Sequence, residues 1–246
     1  MPNITPDNDA FGHEIWAYHT EGHGNEIVER DDGLITSSDG PTRYFAEFSR
    51  WASRERRAMQ FVQGTRALDI GCGAGRVSLY LQREGMKVTA IDSSPLAIRV
   101  CRQRGVADAR LLPIEQLGRL PTDSFDTVVM FGNNFGLFGN RKKARRLLRH
   151  LYRITSASAV ILAESLNPYR TTLPAHVRYR RRNRERGRMG GQIRIRIRFQ
   201  EIKGPWFEYL LASPAEMRQI VGGTGWQVRK IVHDQGHLYV AVIRKI

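Results

Sequence analysis

Asp69, Gly71, Gly73 and Gly75 fall at every second position in the run Ala67-Leu68-Asp69-Ile70-Gly71-Cys72-Gly73-Ala74-Gly75-Arg76-Val77. The residues before the glycines read as a short buried strand over Arg66–Ile70, and those after them as a helix over 77–83. Glycines between strand and helix allow a tight turn and let a ligand approach the backbone. The helix start adds free N–H groups. Residues 86–91 read as a second apolar strand that ends in Asp92, 17 residues after Gly75. A carboxylate at that place can accept both hydroxyls of a ribose. No Gly-Lys-Ser/Thr follows the loop, which speaks against a phosphate-gripping P-loop.

Asp-x-Gly-x-Gly-x-Gly, with the acid two residues before the first glycine, resembles motif I of class I S-adenosylmethionine (SAM) methyltransferases. The competing reading is a dinucleotide-binding Rossmann domain. An acid beside the loop suits a sulfonium and an ammonium better than a pyrophosphate. The resemblance implies an α/β, Rossmann-like sheet, SAM as methyl donor and S-adenosylhomocysteine as product. It places Asp69, Gly71, Cys72, Gly73 and Gly75 along the cofactor and Asp92 and Ser93 at its ribose. Adenine then lies near residues 112–114, with Ile114 as a contact.

The elements that must position these residues alternate as strand and helix. Ser94-Pro95 opens a helix to Gln103, and 109–112, 125–131 and 159–163 read as further strands. Residues 142–154 form a basic amphipathic helix with Ala144, Leu147, Leu148, Leu151 and Ile154 on one face. Such alternation implies a parallel sheet covered on both faces. Gln192–Phe199 alternates Ile193, Ile195, Ile197 and Phe199 with Arg194, Arg196 and Arg198, a strand with one buried face. Residues 206–211 read as another strand, and Ser213 with Glu216 forms a capping box for a helix from Pro214 to about Val221. Residues 227–232 and 237–244 form a terminal antiparallel hairpin, similar to the last two strands of the methyltransferase sheet. Ahead of the sheet, Pro41 opens a single helix to about Phe61. We read 1–62 as an N-terminal cap or lid and 63–246 as the SAM-binding domain, with a β-containing insertion at about 166–205 whose first part, 166–190, is loop-like.

Methyl transfer from a sulfonium is an in-line displacement that asks mainly for alignment and exclusion of water. A base is needed only where the acceptor must lose a proton, and no catalytic residue is singled out. Gly132-Asn133-Asn134-Phe135-Gly136 follows the fourth strand. It lacks the prolines of base-amine methylases and looks like the Gly-Asn-Ser-Phe loop of glycine N-methyltransferase-like enzymes, which act on small molecules. Asn133 either touches SAM or forms a left-handed turn. Asn134, Tyr169 and Arg170, at the carboxyl ends of strands, and Tyr18 and His23 of the arm are substrate-side candidates. Trp206 and Tyr209 read as core or cap wall.

Charge is uneven. The net is +15, yet residues 1–40 carry nine acids and one base while 141–200 carry eighteen Lys/Arg and two acids. Arginines 178–198 either form a solvated face that holds the acidic arm near Glu26, Glu29, Asp31 and Asp32, or grip RNA phosphates. The former is favoured, because aromatics are not interleaved there. His13, His19 and His23 fit no standard metal spacing, so no metal is expected. No apolar run approaches a membrane span of about 20 residues. Met1 to Ala10 is too polar for a signal peptide, and two cysteines, Cys72 and Cys101, suit a reducing cytoplasm. The expected protein is a cytoplasmic SAM-dependent methyltransferase acting on a small molecule. The rivals are an RNA or protein methyltransferase and a non-catalytic SAM-fold binder. The sequence leaves the oligomeric state open.

Overall fold

The computed structural model describes residues 4–38 and 40–246. The expectation of no signal peptide over 1–10 rests partly on residues 1–3, which, like Asp39 of the acidic arm, lie outside the described residues. Along the chain the elements are α1 (Ala10–Glu21), β1 (Ile27–Arg30), β2 (Ile35–Ser37), α2 (Thr42–Phe45), α3 (Ser53–Ala58), β3 (Arg66–Ile70), α4 (Arg76–Arg83), β4 (Lys87–Asp92), α5 (Pro95–Gln103), β5 (Asp108–Leu111), β6 (Phe125–Met130), α6 (Arg141–Ile154), β7 (Thr155–Leu166), α7 (Pro174–Glu185), β8 (Gln192–Phe199), β9 (Ile202–Lys203), β10 (Phe207–Leu210), α8 (Pro214–Val221), β11 (Trp226–His233) and β12 (Leu238–Lys245).

A seven-stranded sheet has the order β11-β12-β7-β6-β3-β4-β5. Its βα alternation and antiparallel terminal pair are the α/β arrangement the sequence predicts. By contact the chain divides into two compact units, Met1–Trp51 with Thr65–Gln116 and Arg194–Phe207, and Ala52–Gly64 with Leu117–Ile193 and Glu208–Ile246.

In the first unit β3, β4 and β5 pair in parallel, Leu68 facing Thr89 and Ala90 facing Ala109. Ser94 caps α5 by accepting from Ala97 N, with Pro95 at its first position. The arm holds a second sheet, in which β1 pairs with β2 and with β8. Glu29 sits directly opposite Arg196 and accepts its Nε and Nη2 at 2.8 and 2.9 Å, with Arg198 Nη1 at 3.4 Å. The expected hold of arginines on the acidic arm is therefore made by Glu29, a cross-strand pair. Asp32 instead takes Arg30 at 2.7 Å, Glu26 turns inward, and Arg194 and Arg196 lie over the Trp206 ring.

One helix of this unit was not expected, and one expectation fails. Residues 10–21 form α1, whose inward face of Ala10, Gly12, Glu14, Ile15 and Ala17 shows no apolar stripe in sequence. The single helix from Pro41 is broken, because Ala46 and Ala52 adopt extended ψ of 134 and 143°. The aromatic residues that suggested one long face pack locally instead: Phe48 stacks on Tyr80 at 4.3 Å, and Trp51 Nε1 donates to Ala46 O at 2.8 Å.

In the second unit β6 and β7 are parallel, and β7-β12-β11 are antiparallel, Ala163 facing Ala241. All five apolar residues expected on the inner face of α6 are buried. Ser213 and Glu216 make the expected capping box. The expected loop at 166–190 contains α7, anchored by buried Tyr179 and Asn183 one turn apart, with Asn183 Nδ2 donating to Gly190 O and Gln192 O. Its remaining face is arginine, which hides the helical period.

Candidate functional site

In the first unit the glycine loop closes on the end of β4. Gly71, Gly73 and Gly75 have φ of 72, 53 and 80°, the region that favours glycine. Gly71 N and Cys72 N both donate to Ile91 O, and Gly73 N donates to Asp92 Oδ2 at 3.0 Å. A Cβ on Gly75 would fall 2.7 Å from Val106 Cγ2 and 2.9 Å from Cys101 Sγ, so this glycine lets α5 pack on the loop. Cys72 and Cys101 are buried free thiols, 3.6 Å apart. Asp69 is buried and accepts the Ser78 hydroxyl at 2.7 Å, tying α4 to β3.

Asp92 Oδ1 accepts Ser94 N at 3.0 Å, and Ser93 N also donates to this carboxylate. Three N–H donors occupy three of the carboxylate's four lone-pair positions, which leaves one for a ligand hydroxyl. Burial pushes both Asp69 and Asp92 up to about 6. Ile114 is buried just beyond the end of β5, where Leu112 N donates to Asp92 O. Carboxylates surround this loop: Asp69, Asp92 and Asp9, the last accepting from Ser94 Oγ at 2.7 Å and Leu96 N at 3.1 Å. That donor set fits a cationic cofactor with ribose hydroxyls and does not fit a pyrophosphate.

The arm covers the loop. Phe11 and Tyr44 stand edge to face at 5.3 Å, and a Cβ on Gly73 would lie 3.6 and 3.4 Å from them. Tyr18 is half-buried against Phe45 at 4.8 Å. His23 is exposed beside Glu21 at 3.1 Å.

Sequence reasoning missed a carboxyl pair here. Glu14 and Glu26 are 0% and 4% exposed. Glu26 N donates to Glu14 Oε1 at 2.9 Å, and the Tyr44 hydroxyl donates to Glu26 Oε1 at 3.4 Å. Their Oε2 atoms are buried and, among the described residues, have no hydrogen-bond partner. Burial first, then Glu26, pushes Glu14 up to about 8; burial pushes Glu26 up to about 6 against Tyr44, Ser38 and Arg43. Near neutral pH the pair holds one proton. Both groups bind protons more tightly folded than unfolded, so the stability they give is full below the ordinary glutamate value and is lost as pH rises through about 6 and about 8. Glu14→Gln should flatten this alkaline loss and raise the wild-type melting temperature at pH above about 8. Thermal unfolding across pH measures it, and parallel wild-type and variant curves would remove the shared proton from the account.

In the second unit, Asn133 is left-handed at φ 65° and is held on three sides. Its N–H donates to Glu164 Oε2 at 2.8 Å, its side-chain oxygen accepts Leu166 N at 2.9 Å, and its carbonyl accepts the Tyr209 hydroxyl at 2.6 Å. Glu164, at the end of β7, is fully buried and pairs with Arg54 Nε at 2.6 Å, while Arg54 Nη1 reaches Asp234 Oδ2 at 2.6 Å. Glu164, Arg54 and Tyr209 were not among the expected site residues. Asn134 is half-buried and opens the 3-10 turn Asn134–Phe138. Tyr169 donates to Glu216 Oε1 at 2.6 Å under the Arg180 and Arg184 guanidiniums. Arg170 is exposed and donates to Gly236 O at 2.7 Å. Both side chains thus have protein partners. Among the described residues no cluster of three or more His, Cys, Asp or Glu is placed to hold a metal.

Residues 67–157 match the family described as "Methyltransferase domain". The ubiquinone biosynthesis O-methyltransferase of Xanthomonas oryzae pv. oryzae is 41% identical over 70 residues, 26% of this chain and 29% of the relative. That of Xylella fastidiosa is 40% identical over 72 residues, 27% of this chain and 29% of the relative. The chain thus spans less than a third of the length of these curated relatives. A SAM-dependent methyltransferase from Bacteroides fragilis, solved in complex with S-adenosyl-L-homocysteine, superposes with a TM-score of 0.83 at 23% identity, covering 98% of this chain and 97% of that one. A SAM-dependent methyltransferase from Methanosarcina mazei gives 0.59 at 20% identity, over 76% and 95%.

Proposed function

We propose that this chain, which has the class I methyltransferase fold and whose residues 67–157 form a methyltransferase domain, moves a methyl group from S-adenosylmethionine to a small-molecule acceptor. The observation that carries the reading is the glycine loop closed on Asp92 by the Gly73 N–H, with Asp69 and Asp9 beside it. SAM supplies a methyl already activated on a sulfonium. The chain's part is to bind and align. Gly71, Cys72, Gly73 and Gly75 present backbone to the cofactor, Asp92 with Ser93 takes the ribose hydroxyls, and Ile114 lies against the adenine. Asp69 fixes the loop through Ser78, and Phe11 and Tyr44 keep water from Gly73. Tyr18 and His23 of the first unit, and Asn134, Tyr169 and Arg170 of the second, remain our substrate-side assignments; Asn133 stands as a cofactor contact made through a fixed turn. A small-molecule acceptor is supported by the named relatives, which are O-methyltransferases of ubiquinone biosynthesis. A cytoplasmic setting belongs to the same proposal and suits two free thiols 3.6 Å apart.

Transfer of labelled methyl from SAM into a cell extract, split into small-molecule, RNA and protein fractions, tests the reading. Label is expected in the small-molecule fraction. RNase-sensitive label, or label in protein alone, would replace the acceptor class.

A further inference from the structure

We propose that the exposed face of α6 carries a second ligand site, one for a small phosphate-bearing dianion. Arg146, Arg149, His150 and Arg153 recur at i, i+3, i+4 and i+7 and line an open cleft of about 230 Å³. They cannot turn inward, because Ala144, Leu147, Leu148, Leu151 and Ile154 fix the opposite face in the core.

Several basic residues of the chain already have protein partners. Arg145, on the same helix, donates through Nη1 to Ile220 O at 3.1 Å and Gly222 O at 2.6 Å, capping the end of α8. Arg30, Arg54, Arg83, Arg110 and Arg196 each hold a carboxylate. Among the described residues no carboxylate pairs with Arg146, Arg149 or Arg153, and Arg153 has only a long bond to Gly118 O at 3.4 Å.

His150 gives the second, independent observation. Its Nδ1 is buried and has no hydrogen-bond partner. Gly118 lies beside it: a Cβ there would fall 3.3 Å from both His150 Nδ1 and Arg153 Nη2. Burial, then Arg153 and Arg146, hold the ring below its ordinary value. Three guanidiniums around one cleft thus repel one another and disfavour a proton on the ring, and among the described residues no carboxylate pairs with them. A dianion reverses this. Guanidinium forks match phosphate oxygens, and protonation adds a fourth positive charge to the cleft. No aromatic lines the cleft to stack a base, which favours a small anion over single-stranded nucleic acid. The site lies apart from the Asn133 cluster, and the inference stands without the methyl-transfer reading.

Linkage gives the test. A phosphate that binds the protonated ring more tightly must raise the His150 pKa. The intact protein, with labelled histidine, is titrated by NMR in inorganic phosphate and in chloride of equal ionic strength, with His150→Gln assigning the signal. The expected result is a saturable rise of about one unit in phosphate, equivalent to about tenfold tighter binding to the charged ring. Arg149→Gln, an exposed site, should abolish the rise while leaving the melting temperature unchanged. No phosphate-specific rise, or an undiminished rise in folded Arg149→Gln, overturns the proposal. So does a response to single-stranded RNA without one to inorganic phosphate, which would make the face a surface for an extended polyanion.

Discussion

Asp92→Ala should lower the affinity for S-adenosylhomocysteine by about 100-fold or more. A charged acceptor contributes roughly 1.5–3 kcal/mol per hydrogen bond, and about 100-fold represents roughly 2.7 kcal/mol, so one lost ribose bond together with the loosened loop accounts for it. The substitution also strands three donors, because Gly73 N, Ser93 N and Ser94 N all give to this carboxylate. The loop that depends on Gly73 then loses its tie to β4. Asp92→Asn keeps one acceptor oxygen and should fall between the two. The carboxyl is pushed up to about 6 by burial, so wild-type affinity should weaken as pH drops below about 6, where the protonated group turns from acceptor to donor. Calorimetry with S-adenosylhomocysteine measures both effects. An alanine variant that folds and binds within about threefold of wild type, roughly 0.7 kcal/mol, would remove Asp92 from the cofactor site.

Asp92 was legible because everything that marks it is local. A strand of period two ends in it, and alternating glycines precede it at a fixed distance. The same locality made α5, α6, α8 and the terminal hairpin readable, since their caps and stripes lie within a few residues. Where packing uses other chemistry, the signal vanishes. The inward face of α1 is small residues and Glu14, and α7 is held by Tyr179 and Asn183 amid arginine. Asn133 shows the limit from the other side. Sequence left it as either a ligand contact or a left-handed turn. The turn is present, and its supports come from Glu164, Leu166 and Tyr209, whose proximity no local pattern reveals. The carboxyl pair is hidden likewise: Glu14 and Glu26 look like two more acids of a charged arm, and only their shared burial changes what they are.

Glu164→Ala should destabilise the fold by about 3–5 kcal/mol, the usual cost of removing one partner from a buried ion pair. Glu164 is fully buried and the Arg54 side chain is 8% exposed, so the guanidinium cannot recover water when its partner goes. Burial, then Glu55, raises the Glu164 carboxyl while Arg54 and the Asn133 N–H draw it down, so its charge depends on those two donors. The dependence is mutual. Alanine leaves Arg54 with Asp234 alone and frees the Asn133 N–H, loosening the turn after β6. Asp234→Asn gives the internal comparison. Asp234 contacts the same guanidinium at 2.6 Å but is 22% exposed, so solvent screens it and the loss should stay within about 1 kcal/mol. Urea unfolding of the three proteins separates the cases, because only loss of the buried partner should lower the midpoint strongly. Equal midpoints for Glu164→Ala and Asp234→Asn would mean that water reaches Arg54 and that the Asn133 turn is held by Leu166 and Tyr209 instead.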